Sequence, residues 1–282
     1  MRIERILAPN PGLFTGSGTN TWLLESAGEV LVIDPGPVLA RHLAAIITAL
    51  RGHSVKAIMV THTHPDHAPL ANLLAREVPA PVYGYEPGPQ FEPDLLIGAG
   101  SRLTVGETEV RVIHTPGHSS DHLCFLAERA LFTGDHIMGG SSVMIEDLSR
   151  YLESLERLRT LDLDRLYPGH GEEMDRPQEV VSWYLAHRLQ REREILAALG
   201  GGAATIEGIV EVVYDDVDRS LHPLATRSVL AHLEKLAKEG SVRIEGSRVQ
   251  LLVPFKPRGP VGDTGPRVVG APLGEPEPRS RS

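Results

Sequence analysis

Short apolar runs that end in turns dominate the first two hundred residues. Alternation of apolar and polar positions predicts an opening strand at residues 2–7 and a hairpin between residues 21–25 and 30–34. The run at residues 57–60 has the length and branching of a buried strand. Similar apolar runs precede Pro/Gly or Gly turns at residues 110–113, 130–132 and 165–167. The pattern predicts a largely β framework.

Helical spacing of apolar residues predicts helices between and after these strands. They fall at residues 38–50, 70–77, 147–161 and 177–199, the last opening with a proline, which the first turn of a helix tolerates. Strands followed by helices in this alternation predict an α/β (α+β) domain over residues 1–199.

Gly200-Gly201-Gly202 is the clearest domain boundary. Beyond it the pattern predicts helices at residues 205–213 and 227–238 and a hairpin of residues 242–244 with 249–252. Helix, helix and hairpin in about fifty residues indicate a small winged-helix domain at 203–253. Residues 254–282 are rich in proline, glycine and charge, which predicts a disordered tail.

Composition narrows the function. The 282-residue chain has a formal charge of −9, which argues against indiscriminate binding to nucleic acid or membranes. Residues 205–253 carry eight Asp/Glu against six Lys/Arg, so we expect no sequence-specific duplex DNA binding. The single Cys124 excludes an intrachain disulfide and is predicted to be buried. No apolar stretch resembles a leader or membrane span, so we expect a cytoplasmic protein without membrane contact.

Metal-binding side chains follow the ends of four predicted strands. The run at 57–60 breaks into His62-Thr63-His64-Pro65-Asp66-His67, and the other three turns are followed by His118, Asp135 and His170. A loop held by a strand suits metal binding, because its ligands must converge within about 2.0–2.2 Å of the ion. The repetition of strand, turn and ligand predicts a metal site.

This motif set resembles the metallo-β-lactamase superfamily of binuclear metal hydrolases over roughly residues 1–199. The resemblance implies a four-layer αββα sandwich with the metals at one edge of two facing sheets. It implies that His62, His64 and His118 bind one metal. It implies that Asp66, His67 and His170 bind the second, with Asp135 bridging the two.

The ligand set implies a mechanism. Two cations about 3.5–4 Å apart would hold a water whose pKa falls toward about 7. Asp66 is predicted to be catalytic, orienting this nucleophile and accepting its proton. We expect two Zn²⁺, with Mn²⁺ or Fe as alternatives. Asp34 is expected to be a turn residue or to support a ligand, and His114, His122 and His136 to lie outside the ligand set.

Several segments resemble the β-lactamase-like-protein-2 subgroup, whose characterised animal relatives are single-strand-specific endoribonucleases. They include GTNTWLL, TPGHSSDH and FTGDHIMG, and a winged helix follows them. The leading hypothesis is therefore phosphodiester hydrolysis of single-stranded RNA. The alternatives are a small-molecule ester or thioester (glyoxalase II-like) hydrolase and a non-enzymatic winged-helix binding protein. The sequence leaves the oligomeric state open.

Three residues are predicted to contact substrate: Asn20, Tyr151 and Arg188. Asn20 lies in a Gly-rich segment that edges the metals in the family. Arg188 belongs to a basic group on the helix at 177–199, which is either a solvated face or a grip for a substrate anion. The other members of that group are His187, Arg191 and Arg193.

Overall fold

Two six-stranded sheets form the first domain of the computed structural model, which describes residues 1–139 and 143–253. In both sheets the strands neighbour one another in chain order. The first contains β1 (Arg2–Leu7), β2 (Asn20–Ser26), β3 (Glu29–Ile33), β4 (Ser54–Met59), β5 (Val82–Gly84) and β6 (Leu95–Leu96). The second contains β7 (Arg102–Val105), β8 (Thr108–His114), β9 (Leu123–Ala127), β10 (Ala130–Gly134), β11 (Arg165–Pro168) and β12 (Met174–Asp175).

Strand direction differs within each sheet. The pairs β3–β4, β4–β5 and β5–β6 are parallel, and β1–β2–β3 is antiparallel. In the second sheet only β10–β11 is parallel among the described pairs. The β2–β3 hairpin turns through Ala27 and Gly28, both at positive φ (49° and 82°), where glycine is favoured.

Alternate strand residues pack on opposite faces of the sheets. Leu24, Leu31 and Ile33 of the first sheet meet Phe125 and Phe132 of the second in the space between the sheets. The outer face of the first sheet packs on α1 (Ala40–Ala49) and α2 (Ala71–Glu77). The outer face of the second packs on α3 (Leu148–Arg159) and α4 (Pro177–Gly200). The four-layer αββα sandwich predicted from the sequence is confirmed.

The second domain is a helical pair with a hairpin. It contains α5 (Ile206–Val213), a 3-10 turn at Arg219–Leu221, α6 (His222–Lys238), β13 (Val242–Glu245) and β14 (Arg248–Leu251). The second helix begins five residues before the predicted start at 227, because Pro223 occupies its first turn. This is the predicted winged-helix arrangement.

Helix α4 belongs to both domains. Its first half packs Val181 and Leu185 on the sandwich, while Ile195 and Leu199 enter the core of the second domain. In the described residues, no helix has the length and apolarity needed to cross a membrane. The predicted disordered tail, residues 254–282, lies outside the described part of the chain.

The two domains also meet through α6. Lys235 Nζ lies 2.7 Å from Glu192 Oε2 on α4, and Lys238 Nζ lies 3.1 Å from Asp147 Oδ2 beside α3. Ala231 packs into the cluster of apolar residues that covers the second sheet. These contacts fix one face of α6 against the first domain, at the edge where the predicted ligands gather.

Candidate metal centre

All seven predicted ligands meet at one edge of the sandwich. The loop after β4 supplies four of them, and the turns after β8, β10 and β11 supply His118, Asp135 and His170. The carboxyl ends of β4, β10 and β11 therefore place ligands in one region, as the sequence predicts. They form two clusters, His62, His64, His118 and Asp135, and Asp66, His67 and His170.

Ligand atoms converge within each cluster. In the first, His64 Nδ1 lies 2.9 Å from His62 Nε2 and 3.0 Å from His118 Nε2. In the second, His170 Nε2 lies 3.0 Å from Asp66 Oδ2 and 3.3 Å from His67 Nε2. Ligands held at 2.0–2.1 Å from a tetrahedral ion would be about 3.3–3.4 Å apart. The distances in the two clusters, 2.9–3.3 Å, reach this spacing or fall a few tenths of an ångström short of it, so each cluster needs only a small outward shift to hold an ion.

Asp135 joins the clusters. Its Oδ1 lies 3.4 Å from Nε2 of both His67 and His170, and its Oδ2 lies 3.8 Å from His118 Nε2. Within the described residues, Oδ1 is buried and accepts no hydrogen bond. A buried carboxylate oxygen of this kind needs a partner. The donor set therefore fits two metal ions with Asp135 between them.

Three of the histidines predicted as ligands are oriented by a hydrogen bond from the other ring nitrogen. His118 Nδ1 donates to Met144 O (2.7 Å) and His170 Nδ1 to Gly18 O (3.1 Å). His67 Nδ1 donates to Asp34 Oδ2 (2.9 Å). These bonds fix the tautomers and turn each Nε2 toward the centre.

Asp34 orients two of the candidate ligands, one directly and one through Thr61. Besides His67, it accepts hydrogen bonds from the backbone N and the Oγ1 of Thr61, both at 2.7 Å. Since the Thr61 hydroxyl donates to Asp34, its oxygen accepts from His62 Nδ1 at 3.0 Å. One buried carboxylate therefore orients a ligand of each cluster. The expectation was that Asp34 is a turn residue or supports a ligand, and its contact with His67 favours the second role.

The charges of the centre shift its pKa values. Burial lowers the pKa of His67, but Asp135, Asp66 and Asp34 outweigh it and hold that pKa well above the ordinary value. Burial and the neighbouring imidazoles hold the pKa of His62 well below its usual range. Burial opposes ionisation of Asp66, yet His67 and His170 lower its pKa to about 2. The carboxylates of the centre therefore stay ionised at neutral pH, and His67 and His170 would have to lose their protons to bind a cation.

Glycines allow the backbone to lie close to the side chains of the candidate metal centre. A Cβ on Gly169 would lie 2.5 Å from Asp135 Oδ1 and 2.7 Å from His67 Cε1. A Cβ on Gly134, whose φ is +48°, would lie 2.7 Å from Thr61 Oγ1. Only glycine fits at these turns, which explains their place directly before ligands in the sequence.

Three histidines lie outside both clusters, as predicted. His122 is buried, and its Nε2 accepts from the backbone N of Asp135 (3.2 Å). His136 is buried, and burial lowers its pKa to about 3. His114 stacks on Tyr85 at 4.5 Å. Cys124 is buried, as expected, and burial raises its pKa to about 12.

Sequence reasoning missed Asp121. Its Oδ2 accepts from the backbone N of Thr63 (2.8 Å) and its Oδ1 from Ser119 Oγ (2.6 Å). It ties the His62–His67 loop to the His118 turn. Its only signal in the sequence is a position three residues after a ligand.

The three residues predicted to contact substrate are all buried. The Asn20 amide donates to Pro168 O (3.0 Å) and Gly171 O (2.8 Å), beside His170. Tyr151 is fully buried and donates to His136 O (2.8 Å). Arg188 is 3% exposed and donates to Val143 O (2.7 Å). Substrate contact stays a prediction for all three, and their burial favours an indirect role.

An open cleft of about 440 Å³ leads from the first cluster to the surface. One wall is the segment before α3 and the other is α6 of the second domain. The lining residues are His64, His118, Met144, Ile145, Glu146, Arg227, Leu230, Ala231 and Glu234. The second domain therefore forms part of the site.

The αββα sandwich and its two clusters are the fold and the candidate binuclear metal site of a metal-dependent hydrolase. Residues 14–170 match the family model of the metallo-beta-lactamase superfamily, and residues 205–249 match the beta-lactamase associated winged helix domain. The chain belongs to the metallo-beta-lactamase superfamily and is a hydrolase of that fold.

Relatives match both domains. A beta-lactamase-like protein 2 homolog from Drosophila melanogaster is 32% identical, covering 90% of this chain and 94% of its own. An atrochrysone carboxyl ACP thioesterase from Aspergillus fumigatus is 34% identical, covering 79% and 78%. A metallo-beta-lactamase family protein from Thermus thermophilus has a TM-score of 0.73 at 25% identity, covering 88% and 98%. The resemblance to the β-lactamase-like-protein-2 subgroup is confirmed.

Proposed function

We propose that the protein hydrolyses acyl thioesters at a binuclear metal centre. The observation that carries the proposal is the lining of the cleft beside the first cluster. Its walls are aliphatic at Met144, Ile145, Leu230 and Ala231. Such a surface suits an acyl chain or a pantetheine-like arm. The Aspergillus relative named as a thioesterase supports this chemistry.

Single-stranded RNA, the leading hypothesis from the sequence, ranks second. Proteins that bind single strands combine a basic groove with aromatic side chains on which bases stack. In the described part of the chain no Phe, Tyr or Trp lines the cleft, and Glu146 and Glu234 outnumber Arg227 there. The open cleft and the subgroup resemblance favour RNA, so it stays the alternative. The intact ligand set argues against a non-enzymatic binding protein.

Each cluster would hold one ion. His62, His64, His118 and Asp135 would hold the first, and Asp66, His67 and His170 would hold the second, with Asp135 next to both. Bound there, the two ions supply Lewis-acid polarisation and acidify a water nucleophile. Two Zn²⁺ suit this nitrogen and oxygen set, and Mn²⁺ or Fe are the alternatives.

The chain's own residues complete the mechanism. Asp66 is the more accessible carboxylate, with its side chain 25% exposed against 9% for Asp135. With its pKa lowered to about 2 it is ionised at neutral pH, so it can accept a hydrogen bond from the attacking water and orient it, although so low a pKa makes it a weak proton acceptor. His64 and His118 face the cleft, which directs the scissile carbonyl to the first cluster.

The second domain is proposed to shape the substrate site. In helix-turn-helix proteins, the second helix of the motif enters the major groove of duplex DNA. Here that helix, α6, turns Lys235 and Lys238 into ion pairs with Glu192 and Asp147 and lines the cleft. We expect no sequence-specific duplex DNA binding and no membrane contact, and a cytoplasmic location stays a prediction.

The test compares metal-loaded protein with its Asp135→Ala variant. Each would be incubated with a short-chain acyl thioester, a labelled single-stranded RNA and a β-lactam. The proposal predicts thioester turnover by the native protein and a loss of at least about 10³-fold in the variant, as for removal of a group central to transition-state stabilisation. RNA cleavage without thioester turnover would replace the proposal with the nuclease alternative.

A further inference from the structure

One face of α6 presents a cation to the cleft. Arg227, Leu230, Ala231 and Glu234 follow the spacing i, i+3, i+4, i+7, which places them on one side of the helix. At 1.5 Å per residue, Arg227 and Glu234 are about 10 Å apart along the axis. This side of α6 therefore has a positive residue at one end, aliphatic residues in the middle and a negative residue at the other end.

Arg227 is exposed and forms no hydrogen bond or ion pair with the described residues. The two lysines farther along α6 differ. Lys235 pairs with Glu192 (2.7 Å) and Lys238 with Asp147 (3.1 Å). The two lysines of α6 thus form ion pairs with the first domain and α4, whereas Arg227 is available to bind a ligand.

The arginines predicted to grip an anion are engaged elsewhere. Arg188 donates to Val143 O and lies over the Tyr151 ring, 5.6 Å from its centroid. Arg191 pairs with Glu194 (2.9 Å), and Arg193 Nη2 donates to Gln190 Oε1 (2.6 Å). Among the described residues that line the cleft, Arg227 is the only Arg or Lys. An anion in the cleft has this guanidinium as its partner.

We propose that Arg227 determines specificity by binding one anionic group of the substrate, a carboxylate or a phosphate. Ile145 and Leu230 then hold the apolar segment that connects this anion to the scissile thioester. Glu146 and Glu234 repel an anion from the remaining positions, so the cleft selects a single placement of charge. This inference rests on the proposed thioester hydrolysis and names the substrate class within it.

Two sources can supply the anion, and matched substrates separate them. Succinyl and butyryl thioesters of N-acetylcysteamine differ in a carboxylate at the end of the acyl chain. Acetyl-phosphopantetheine and acetyl-pantetheine differ in the phosphate of the carrier arm. For the pair whose charge Arg227 binds, native protein should favour the anionic member about 10-fold or more in kcat/KM.

Arg227→Gln should abolish that preference, mainly through KM, because the anion is bound equally in the ground and transition states. Arg227→Lys, which keeps the charge, should retain part of it. The matched control is Arg243→Gln, at an exposed arginine of β13 outside the cleft. This variant should leave the preference for the anionic member unchanged in both substrate pairs. Unchanged preferences in Arg227→Gln, or an equal loss on all four substrates, would overturn the proposal.

A binding measurement separates this inference from the proposed function. Non-hydrolysable thioether analogues of all four substrates would be titrated calorimetrically into native protein and Arg227→Gln. If native protein binds the anionic analogue more tightly and Arg227→Gln does not, Arg227 binds the anion, whichever bond the enzyme cleaves. If native protein hydrolyses none of the four thioesters, the proposed function fails. Equal affinity of all combinations overturns the assignment of Arg227.

Discussion

Single residues at the centre divide into ligands and the groups that aim them. The candidate ligands could be predicted from the sequence because they follow predicted strands. His118, Asp135 and His170 each also follow a glycine, and at Gly134 and Gly169 this glycine leaves room for close contacts. The groups that orient the candidate ligands are harder to predict from the sequence. Met144 O and Gly18 O fix two histidines through backbone carbonyls, which no side-chain motif marks. Asp121 likewise acts through a backbone N–H far away in the chain.

Removing Asp34 should weaken metal binding. Asp34→Ala leaves the Nδ1 of His67 and the hydroxyl of Thr61 without their acceptor. Loss of such a supporting partner costs about 10- to 100-fold in metal affinity. Competition with a chelator would measure it, and Asp34→Asn, which keeps one acceptor, should lose less. Native affinity in Asp34→Ala would show that this carboxylate does not orient the ligands.

Gly169→Ala should disturb the bridging carboxylate. The added methyl would lie 2.5 Å from Asp135 Oδ1. We expect fewer than two bound ions per chain with circular dichroism unchanged. The control is Gly98→Ala, whose methyl would meet only Tyr85 Cε2 at 3.8 Å, an ordinary contact. Two ions bound in both variants would contradict the proposed place of Asp135.

At the scale of elements, periodicity predicted most helices and strands within a few residues. The differences have local causes. The first helix starts at Ala40 and not at 38, and Pro223 extends α6 backwards to His222. Sequence placed α4 in the first domain alone, because apolar spacing does not say which core a helix faces. Its end, at Ile195 and Leu199, packs in the second.

The ion pair between α4 and α6 should stabilise the docking of the domains. The side chains of Lys235 and Glu192 are only 11% and 15% exposed, so Lys235→Met leaves a partly buried carboxylate unpaired. We expect a loss of about 1–3 kcal/mol in urea unfolding. Lys238→Met removes the more exposed pair with Asp147 and should cost less than about 1 kcal/mol. Equal losses of stability in the two variants would contradict the expectation that the more buried ion pair contributes more.

The buried His232 of α6 and the half-buried His187 of α4 should make the free energy of unfolding depend on pH. Burial lowers the pKa of His232 to about 3 and that of His187 to about 4. Above the ordinary value of 6.5 both are neutral in either state, so stability is complete. Below it the unfolded chain binds protons that the folded chain does not. Stability should therefore fall as the pH drops from 6.5 toward these values, by up to about 1.4 kcal/mol per pH unit and histidine.

Urea unfolding between pH 7 and 4.5 would measure this slope. His232→Leu should make it shallower, whereas His53→Leu, at an exposed position, is the matched control and should leave it unchanged. A slope equal to that of the native protein in His232→Leu would contradict the role of His232. The centre's own ionisable groups contribute equally to both proteins and cancel in the comparison.

For the whole molecule, the cleft is the feature that sequence could not predict. Its walls come from residues near 145 and near 230, and their meeting depends on how α6 docks on the first domain. Motifs identified the metal centre, but aliphatic residues and one arginine on a helix of the second domain carry no motif. The proposed substrate preference therefore depends on how the two domains are arranged.

The most direct test is the metal content of the protein together with the position of the ions. Elemental analysis and anomalous diffraction would be applied to native protein and to Asp135→Ala, both loaded with Zn²⁺. We predict two ions per chain in the native protein, one among His62, His64 and His118 and one among Asp66, His67 and His170, with Asp135 between them. The variant should lose at least one. A native protein that binds a single ion, or none at these residues, would contradict the binuclear centre on which the proposed hydrolysis depends.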